Sequence, residues 1–337
     1  MVNDEQEELA INFLPELATV LAINESQKGS PLTEMEVQEI TASAPCMTMR
    51  KSDYENIIRH RKYRDIDPED AWADWHRMRS WLVGGYLPAF IFTILCSADT
   101  ARELKDQIGR NGEEWQVEVN KCGTEQAESV TFKLVGAGNE ARRQILDSIG
   151  SDDVAVDLVG AFFGSHQAIT SAKEALQMVK RCFSLGAKAV CCESSYITHT
   201  KDDWLELAET SESEDDSTAR WALLEAFVQC PIVREETFIT CGLHLLGLPD
   251  LIVSQKVAAT IDEGGTMVDD NVRRLFYSFA GYLLTECATK PFRSGNTFSM
   301  GPDSQRYRIV WEPCSELEEG NILYNPFGYR RVTVDRQ

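Results

Sequence analysis

Cations are scarce in this chain. Lysine and arginine number 33 against 54 aspartates and glutamates, a formal charge of −21 over 337 residues. No run of five or more basic residues occurs. Binding to DNA or RNA backbones rests on cations that neutralise phosphate. The composition therefore predicts no nucleic-acid partner, disfavours anionic membranes, and reads most plainly as a device for solubility.

Metal-binding and hydrolytic signatures are missing too. His60, His76, His166, His199 and His244 are scattered, without H-x-x-x-H or H-E-x-x-H spacing, and the ten cysteines include no C-x-x-C pair. Cys182, Cys191, Cys192 and Cys241 could meet only in space, so no metal site is predicted. There is no G-x-S-x-G elbow, no Walker loop and no RNA-reading aromatic signature. No cofactor is expected. The apolar run Leu82–Ala98 falls short of the roughly 20 residues of a spanning helix and carries Gly84, Gly85 and Pro88, so it reads as a buried strand, not a membrane span. The opening MVNDEQEEL is acidic where a secretory signal needs positive charge. The cysteines are dispersed in a chain too large to need disulfides, and they read as small buried residues of a reducing, cytoplasmic protein with free thiols.

Hydrophobic residues make up 43% of the chain, enough for a packed interior. The most legible stretch is Ser165–Trp204. Ile169, Ala172, Leu176, Val179 and Phe183 recur at helical steps after an S-x-x-E box at Ser171 and Glu174. Gly186 suits a left-handed helix end. Ala187–Glu193, with its uncharged AVCC centre, reads as a strand covered on both faces. Thr200 and Asp203 open another helix. The expected unit is helix, buried strand, loop, helix.

Around this unit the pattern predicts an α+β protein. Residues 1–84 read as an all-helical extension, with capping boxes at Thr33/Glu36 and Ser52/Glu55 and a helix start at Asp67-Pro68-Glu69-Asp70. Residues 85–164 read β-α-β-β-α-β, with strands at 89–96, 115–119, 130–135 and 154–159 and helices at 100–108 and 139–149. That is the order of a split-βαβ, ferredoxin-like module. Residues 165–337 are read as a second module of the same kind. It holds strands near 232–240 and 250–256, a long helix opened by Thr266 and Asp269, and a hairpin of 297–300 with 306–311.

The pieces GAKAVCCESSYITHTKDDW, ITCGLHLLGLPDLIV and SGNTFSMGPDSQRYRIVW resemble, in order and spacing, an uncharacterised bacterial family, the domain of unknown function numbered four-two-six-one. Gly186, Ala187, Ala189, Val190, His199, Trp204, Gly242, Leu243, Gly247, Leu248 and Pro249 match its pattern. Asp250 stands where an acid is usual, and Gly295 and Thr297 fit its hairpin. The resemblance covers about residues 165–311 and implies no activity. Separately, YRDIDPEDAWADW at 63–75 resembles a segment that recurs in bacterial proteins of unknown role.

Two constellations could carry chemistry. Gly136-Ala137-Gly138-Asn139-Glu140-Ala141 fits G-x-G-x-x-A between a predicted strand and a predicted helix, with Asp157 about twenty residues on, the outline of a dinucleotide site. Against it, Asp157 falls inside its strand and Glu140 adds negative charge where phosphate would sit, so a plain tight turn is the simpler reading. Glu193, His199, His244 and Asp250 form the second set. Ligands often gather beyond strand ends, and a histidine with a carboxylate can do acid–base work. The plain alternative makes Glu193 and His199 ordinary loop residues and His244 a core residue. Trp72, Trp75 and Trp81 read as a packing stripe or as a surface for another protein. The expectation that follows is a soluble, non-enzymatic interaction or regulatory module. The alternative is a small-molecule or nucleotide-binding enzyme using the 136–141 turn or a Glu193/His199/His244 cleft.

Overall fold

In a computed structural model the chain is described over residues 8–61, 63–84, 88–109, 115–121, 147–148, 150, 153–161, 168–261, 267–286 and 291–335. Among these the organising unit stands where the sequence puts it. Helix α6 (Ala168–Ser184) buries Ala172, Ala175, Leu176, Val179 and Phe183 along one stripe. It ends in a Schellman turn. The Ala187 N–H donates to the Cys182 carbonyl (3.0 Å) and the Gly186 N–H to that of Phe183 (3.2 Å). Gly186 sits at φ +106°, where an L side chain is strained. The chain then enters β6 (Ala189–Cys192), four residues buried on both faces. Helix α6 begins three residues before Ser171, so that serine is an interior residue and not a cap.

Strand β6 completes a five-stranded sheet in the order β4-β5-β3-β6-β7, formed by β3 (Ala89–Ser97), β4 (Trp115–Lys121), β5 (Asp153–Ala161) and β7 (Ile197–Thr198), with every neighbouring pair antiparallel. This order departs from the ferredoxin-like module. There the strand expected at 130–135 would lie beside β3, yet the two neighbours of β3 are β5 and β6. The sheet thus joins the 85–164 and 165–337 segments in one layer. Residues 130–135 and most of 139–149 lie outside the described residues.

The second sheet has six strands in the order β11-β12-β13-β10-β9-β8. These are β8 (Gln229–Arg234), β9 (Thr237–Cys241), β10 (Asp250–Ser254), β11 (Thr297–Phe298), β12 (Tyr307–Glu312) and β13 (Tyr329–Val334). Strand β13, which sequence reading passed over, lies between β12 and β10 and runs parallel to β10. Helices α5 (Ala98–Gly109), α7 (Lys201–Thr210), α8 (Asp216–Phe227), α9 (Gln255–Ala258) and α10 (Val268–Glu286) complete the body. One apolar core runs from Phe90 and Leu158 of the first sheet through α6, α8 and α10 to Tyr307 and Val332 of the second. The start of α10 follows Thr266, which lies outside the described residues.

The N-terminal segment is not all helix. Strand β1 (Leu9–Phe13) pairs antiparallel with β2 (Cys46–Arg50) in a separate two-stranded ribbon. Helices α1 (Leu17–Lys28), α2 (Glu34–Ser43), α3 (Lys51–Arg61) and α4 (Ala71–Val83) surround it. Alternation over five residues was hidden in a segment rich in helix formers, and the pairing partner lies 37 residues away. The Thr33/Glu36 box caps α2 as expected, whereas α3 starts at Lys51 and leaves Ser52 inside. A second core of Leu17, Leu21, Val37, Ile66, Trp75 and Met78 holds these helices. No described helix is long and apolar enough to cross a membrane. The eight described cysteines are free, and Cys122 and Cys287 lie outside the described residues.

Gly186→Val tests the organising unit. Its Cβ would sit 3.0 Å from Thr100 Oγ1 at a positive φ. The expected loss is about 1–3 kcal/mol in urea melts. A variant as stable as wild type would show that the helix end does not set the entry of β6.

Candidate functional site

The 63–75 segment does architectural work at almost every position. Asp65 accepts the Leu17, Ala18 and Ile66 N–H groups (2.8, 3.0 and 2.8 Å), so it caps α1 from 48 residues downstream of Leu17. Burial pushes its carboxyl up from the ordinary range, and those three N–H groups oppose the shift. Asp67 caps the short 3-10 turn Pro68–Asp70 that opens α4. Arg64 grips Asp74 with both guanidinium nitrogens (2.7 and 2.9 Å), Arg77 reaches it at 2.6 Å, and the Asp67 N–H donates to it at 2.7 Å. Burial alone would raise the Asp74 carboxyl. The Arg77 and Arg64 charges outweigh it and hold Asp74 below the usual carboxylate range. Trp75 is fully buried.

The same segment docks the N-terminal unit on the six-stranded sheet. Arg293 binds Asp67 (2.7 Å) and Glu69, and the Ser294 N–H donates to Asp70 (2.7 Å). Trp72 meets Trp311 edge-on at 6.3 Å, and the His76 ring packs against both, 4.4 Å from Trp72 and 5.0 Å from Trp311. Trp72 and Trp75 of the expected stripe therefore pack within the chain, whereas Trp81 is 39% exposed. A cavity of about 100 Å³ lies at this junction, lined by Arg64, Asp67, Asp70, Asp74, Arg77 and Arg330 and by Gly247, Leu248 and Pro249. The two sequence segments singled out above thus meet in one place. Ligand pockets commonly run to about 300–1,000 Å³. This one is smaller, and its three arginines face three aspartates.

Of the second candidate set, His244 and Asp250 lie in the core, while Glu193 and His199 are partly exposed. Asp250, at the start of β10, is buried and accepts from Thr240 Oγ1 (2.9 Å), the Leu243 N–H (3.3 Å) and Asn325 Nδ2 (2.7 Å). Burial raises its carboxyl to about 6. It anchors the Leu243–Leu246 turn, whose entry at Gly242 (φ +109°) leaves no room for a side chain: a Cβ there would lie 2.0 Å from the Phe227 carbonyl. His244 in that turn is fully buried, neither ring nitrogen has a hydrogen-bond partner, and burial lowers it to about 4. His244 is thus in the core, but without the hydrogen bonds that a satisfied core histidine would have. Glu193 is partly exposed just past β6, its N–H bonded to the Ile91 carbonyl (2.7 Å). His199 stands edge-on to Trp204 at 4.7 Å, and burial lowers its imidazole against backbone bonds at Ala226 and Glu225. Trp204 closes the unit by donating to the Val190 carbonyl (3.1 Å).

The nucleotide fingerprint cannot be placed. Gly136 and Gly138 lie outside the described residues, and Asp157 sits mid-strand in β5, accepting from Thr93 Oγ1 (3.1 Å). No group of three or more His, Cys, Asp or Glu suited to a metal ion occurs among the described residues. What sequence reading missed is a surface groove of about 390 Å³ between α8 and α10, lined by Ser217, Thr218, Arg220, Trp221, Leu224, Tyr277, Gly281 and Thr285. The available signal was a tryptophan at an outward position of α8. Comparison with known proteins finds no matching family model, no matching curated protein and no matching solved structure.

Two outcomes are expected. Asp74→Ala, which strands two arginines and the Asp67 N–H, should cost about 3–5 kcal/mol. Arg293→Ala should cost less and should chiefly speed proteolysis between the N-terminal unit and the body. Equal, small effects in urea melts would dismiss the network. The second outcome concerns pH. Folded His244 resists protonation, so its contribution is complete above its ordinary 6.5 and is lost as pH falls towards 4. Asp250 acts oppositely: its buried charge costs stability above about pH 6, and the cost is relieved as pH falls towards 3.8. Relative to wild type, His244→Leu should gain stability on acidification and Asp250→Asn should lose it. Curves parallel to wild type would overturn both assignments.

Proposed function

We propose that this chain is a non-enzymatic protein-interaction module of the cytoplasm, kin to the uncharacterised four-two-six-one family. One observation carries the reading. The groove of about 390 Å³ between α8 and α10 presents aromatic and small side chains and no acid–base pair. Trp221 is 49% exposed there, with its ring 4.8 Å from that of Tyr277, and Arg273 stacks on the Tyr277 ring at 5.2 Å. Trp, Tyr and Arg are the residues that dominate binding at protein interfaces. Gly281 lies in the interior of a 19-residue helix with nothing within 4 Å of a Cβ built on it. Such a glycine costs about 0.5–1 kcal/mol relative to alanine. Packing within the chain does not call for it, whereas close approach of another chain along α10 does. Arg220 is the one charged residue of the lining, and Asp216 (3.3 Å) and the Leu284 carbonyl (2.9 Å) already hold it, so the groove favours an apolar segment. The small, charge-balanced junction cavity and the sealed His244 fit the same reading.

A photo-crosslinking residue at Thr218 is expected to yield one discrete protein adduct in the producing cells. Trp221→Ala or Gly281→Leu should abolish that adduct, while Gly281→Ala raises the melting temperature. An adduct indifferent to both Trp221→Ala and Gly281→Leu, or none at all, would overturn the proposal.

A further inference from the structure

Charge is uneven along the α8–α10 groove. The Arg220 guanidinium donates to the Leu284 carbonyl (2.9 Å), so the start of α8 lies beside the end of α10. Arg273 donates to both oxygens of Glu225 (2.8 and 2.7 Å), so the other two ends also meet and the helices run antiparallel. Residues 211–220, at the first end, hold four acids and one arginine. Glu212, Glu214, Asp215 and Asp216 are all exposed there. At the second end Glu225, Asp269 and Asp270 stand with Arg273 and Arg274, so the charges are mixed. The lining also offers little to an extended backbone. The Thr285 hydroxyl donates to the Gly281 or Tyr282 carbonyl of its own helix, that of Thr218 to Asp215, and that of Tyr277 to the Val228 carbonyl (3.3 Å). A strand laid here would leave its own N–H and C=O groups without partners, whereas a helix satisfies them internally. From Tyr277 to Thr285 the groove runs about 12 Å at 1.5 Å per residue, roughly two helical turns.

Taking the groove as the interaction site proposed above, we infer that the partner segment is an amphipathic helix with lysine or arginine at one end, seated with that end beside residues 212–216. Its apolar side meets the Trp221 and Tyr277 rings, and Gly281 lets its backbone come close to α10. Its cations meet the acidic end of the groove. Opposite charge attracts there and like charge repels, so the sign of the segment's end decides its fit. The mixed charges at the second end set no such preference, so the two ends of the groove are not equivalent.

Two fluorescently labelled, end-capped synthetic peptides make the test. Both carry leucines at helical spacing along one face; one ends in lysines and the other in glutamates. In anisotropy titrations of the full chain at low ionic strength, the lysine peptide should bind at least tenfold more tightly than the glutamate peptide. Trp221→Ala should weaken it at least tenfold, and so should a proline in the middle of the peptide, which breaks the helix. Glu212→Lys with Glu214→Lys should erase or reverse the preference. Glu34→Lys with Glu39→Lys changes the net charge equally, at exposed positions of α2, and should leave the preference in place. Equal affinity of the two peptides, binding of neither, undiminished binding of the proline peptide, or equal loss of preference in the Glu34/Glu39 control would overturn the inference. The groove reading survives any of these results where the Thr218 crosslink still captures a Trp221-dependent adduct. Loss of that adduct as well removes both.

Discussion

A buried carboxylate that must not be left alone governs the N-terminal unit of this protein. Asp74 is almost wholly removed from water, and an isolated charge there would be prohibitive. Arg64 and Arg77 neutralise it, and the Asp67 N–H adds a further donor. Each partner brings a piece of backbone with it. Holding Arg64 fixes the chain beside Asp65, and Asp65 supplies the start of α1 with its missing acceptor. Holding Asp67 fixes the turn into α4 and presents its carboxylate to Arg293 of the body. Hydrogen bonds of this kind are directional, so the network sets angles as well as contacts. Arg79, bound to the buried Glu25 at 2.8 Å, ties α4 back onto α1 in the same manner.

The body depends on the opposite device, backbone brought too close for side chains. Gly242 lets the Leu243–Leu246 turn press against the end of α8, and Gly186 lets β6 start beside β3 directly after α6. Once these turns are seated, His244 has no route to water and Asp250 becomes an internal acceptor. Groups that look reactive in sequence are thereby spent on structure. Their lowered and raised affinities for protons arise from burial, which also arises in ordinary cores. A perturbed pKa points to function only where the group can reach a ligand, and His244 cannot.

The surface feature that remains differs in kind from the buried ones. The α8–α10 groove offers the half-exposed ring of Trp221, set against the buried Tyr277, beside a glycine with nothing within 4 Å of a Cβ built on it. No described side chain fills that space, and the proposed interaction role rests on it.

What the sequence determined by itself was local. The caps at Thr33, Asp67 and Thr200, the stripe of α6, the left-handed Gly186 and the doubly buried AVCC strand all follow from chemistry acting within three or four residues, where one polar atom meets one nearby N–H or one apolar face recurs each turn. The α+β class followed from pattern, and so did the burial of Cys96, Cys182, Cys191, Cys192 and Cys241, whereas Cys46 is exposed. What only the tertiary structure decided was partnership. Alternation marks a strand but does not name its neighbour, so β6 joining β3, β13 entering between β12 and β10, and β1 finding β2 could not be read. Nor could the cap that Asp65 gives to α1, since its acceptor and donors are 48 residues apart. The 63–75 and 247–250 segments stood out as patterns, and their meeting at one junction came from the packing of two units. Glu193, His199, His244 and Asp250 were legible as residues capable of chemistry. How far each is buried was not, because whether a side chain reaches solvent depends on which elements close over its turn; His244 and Asp250 are sealed while Glu193 is partly exposed.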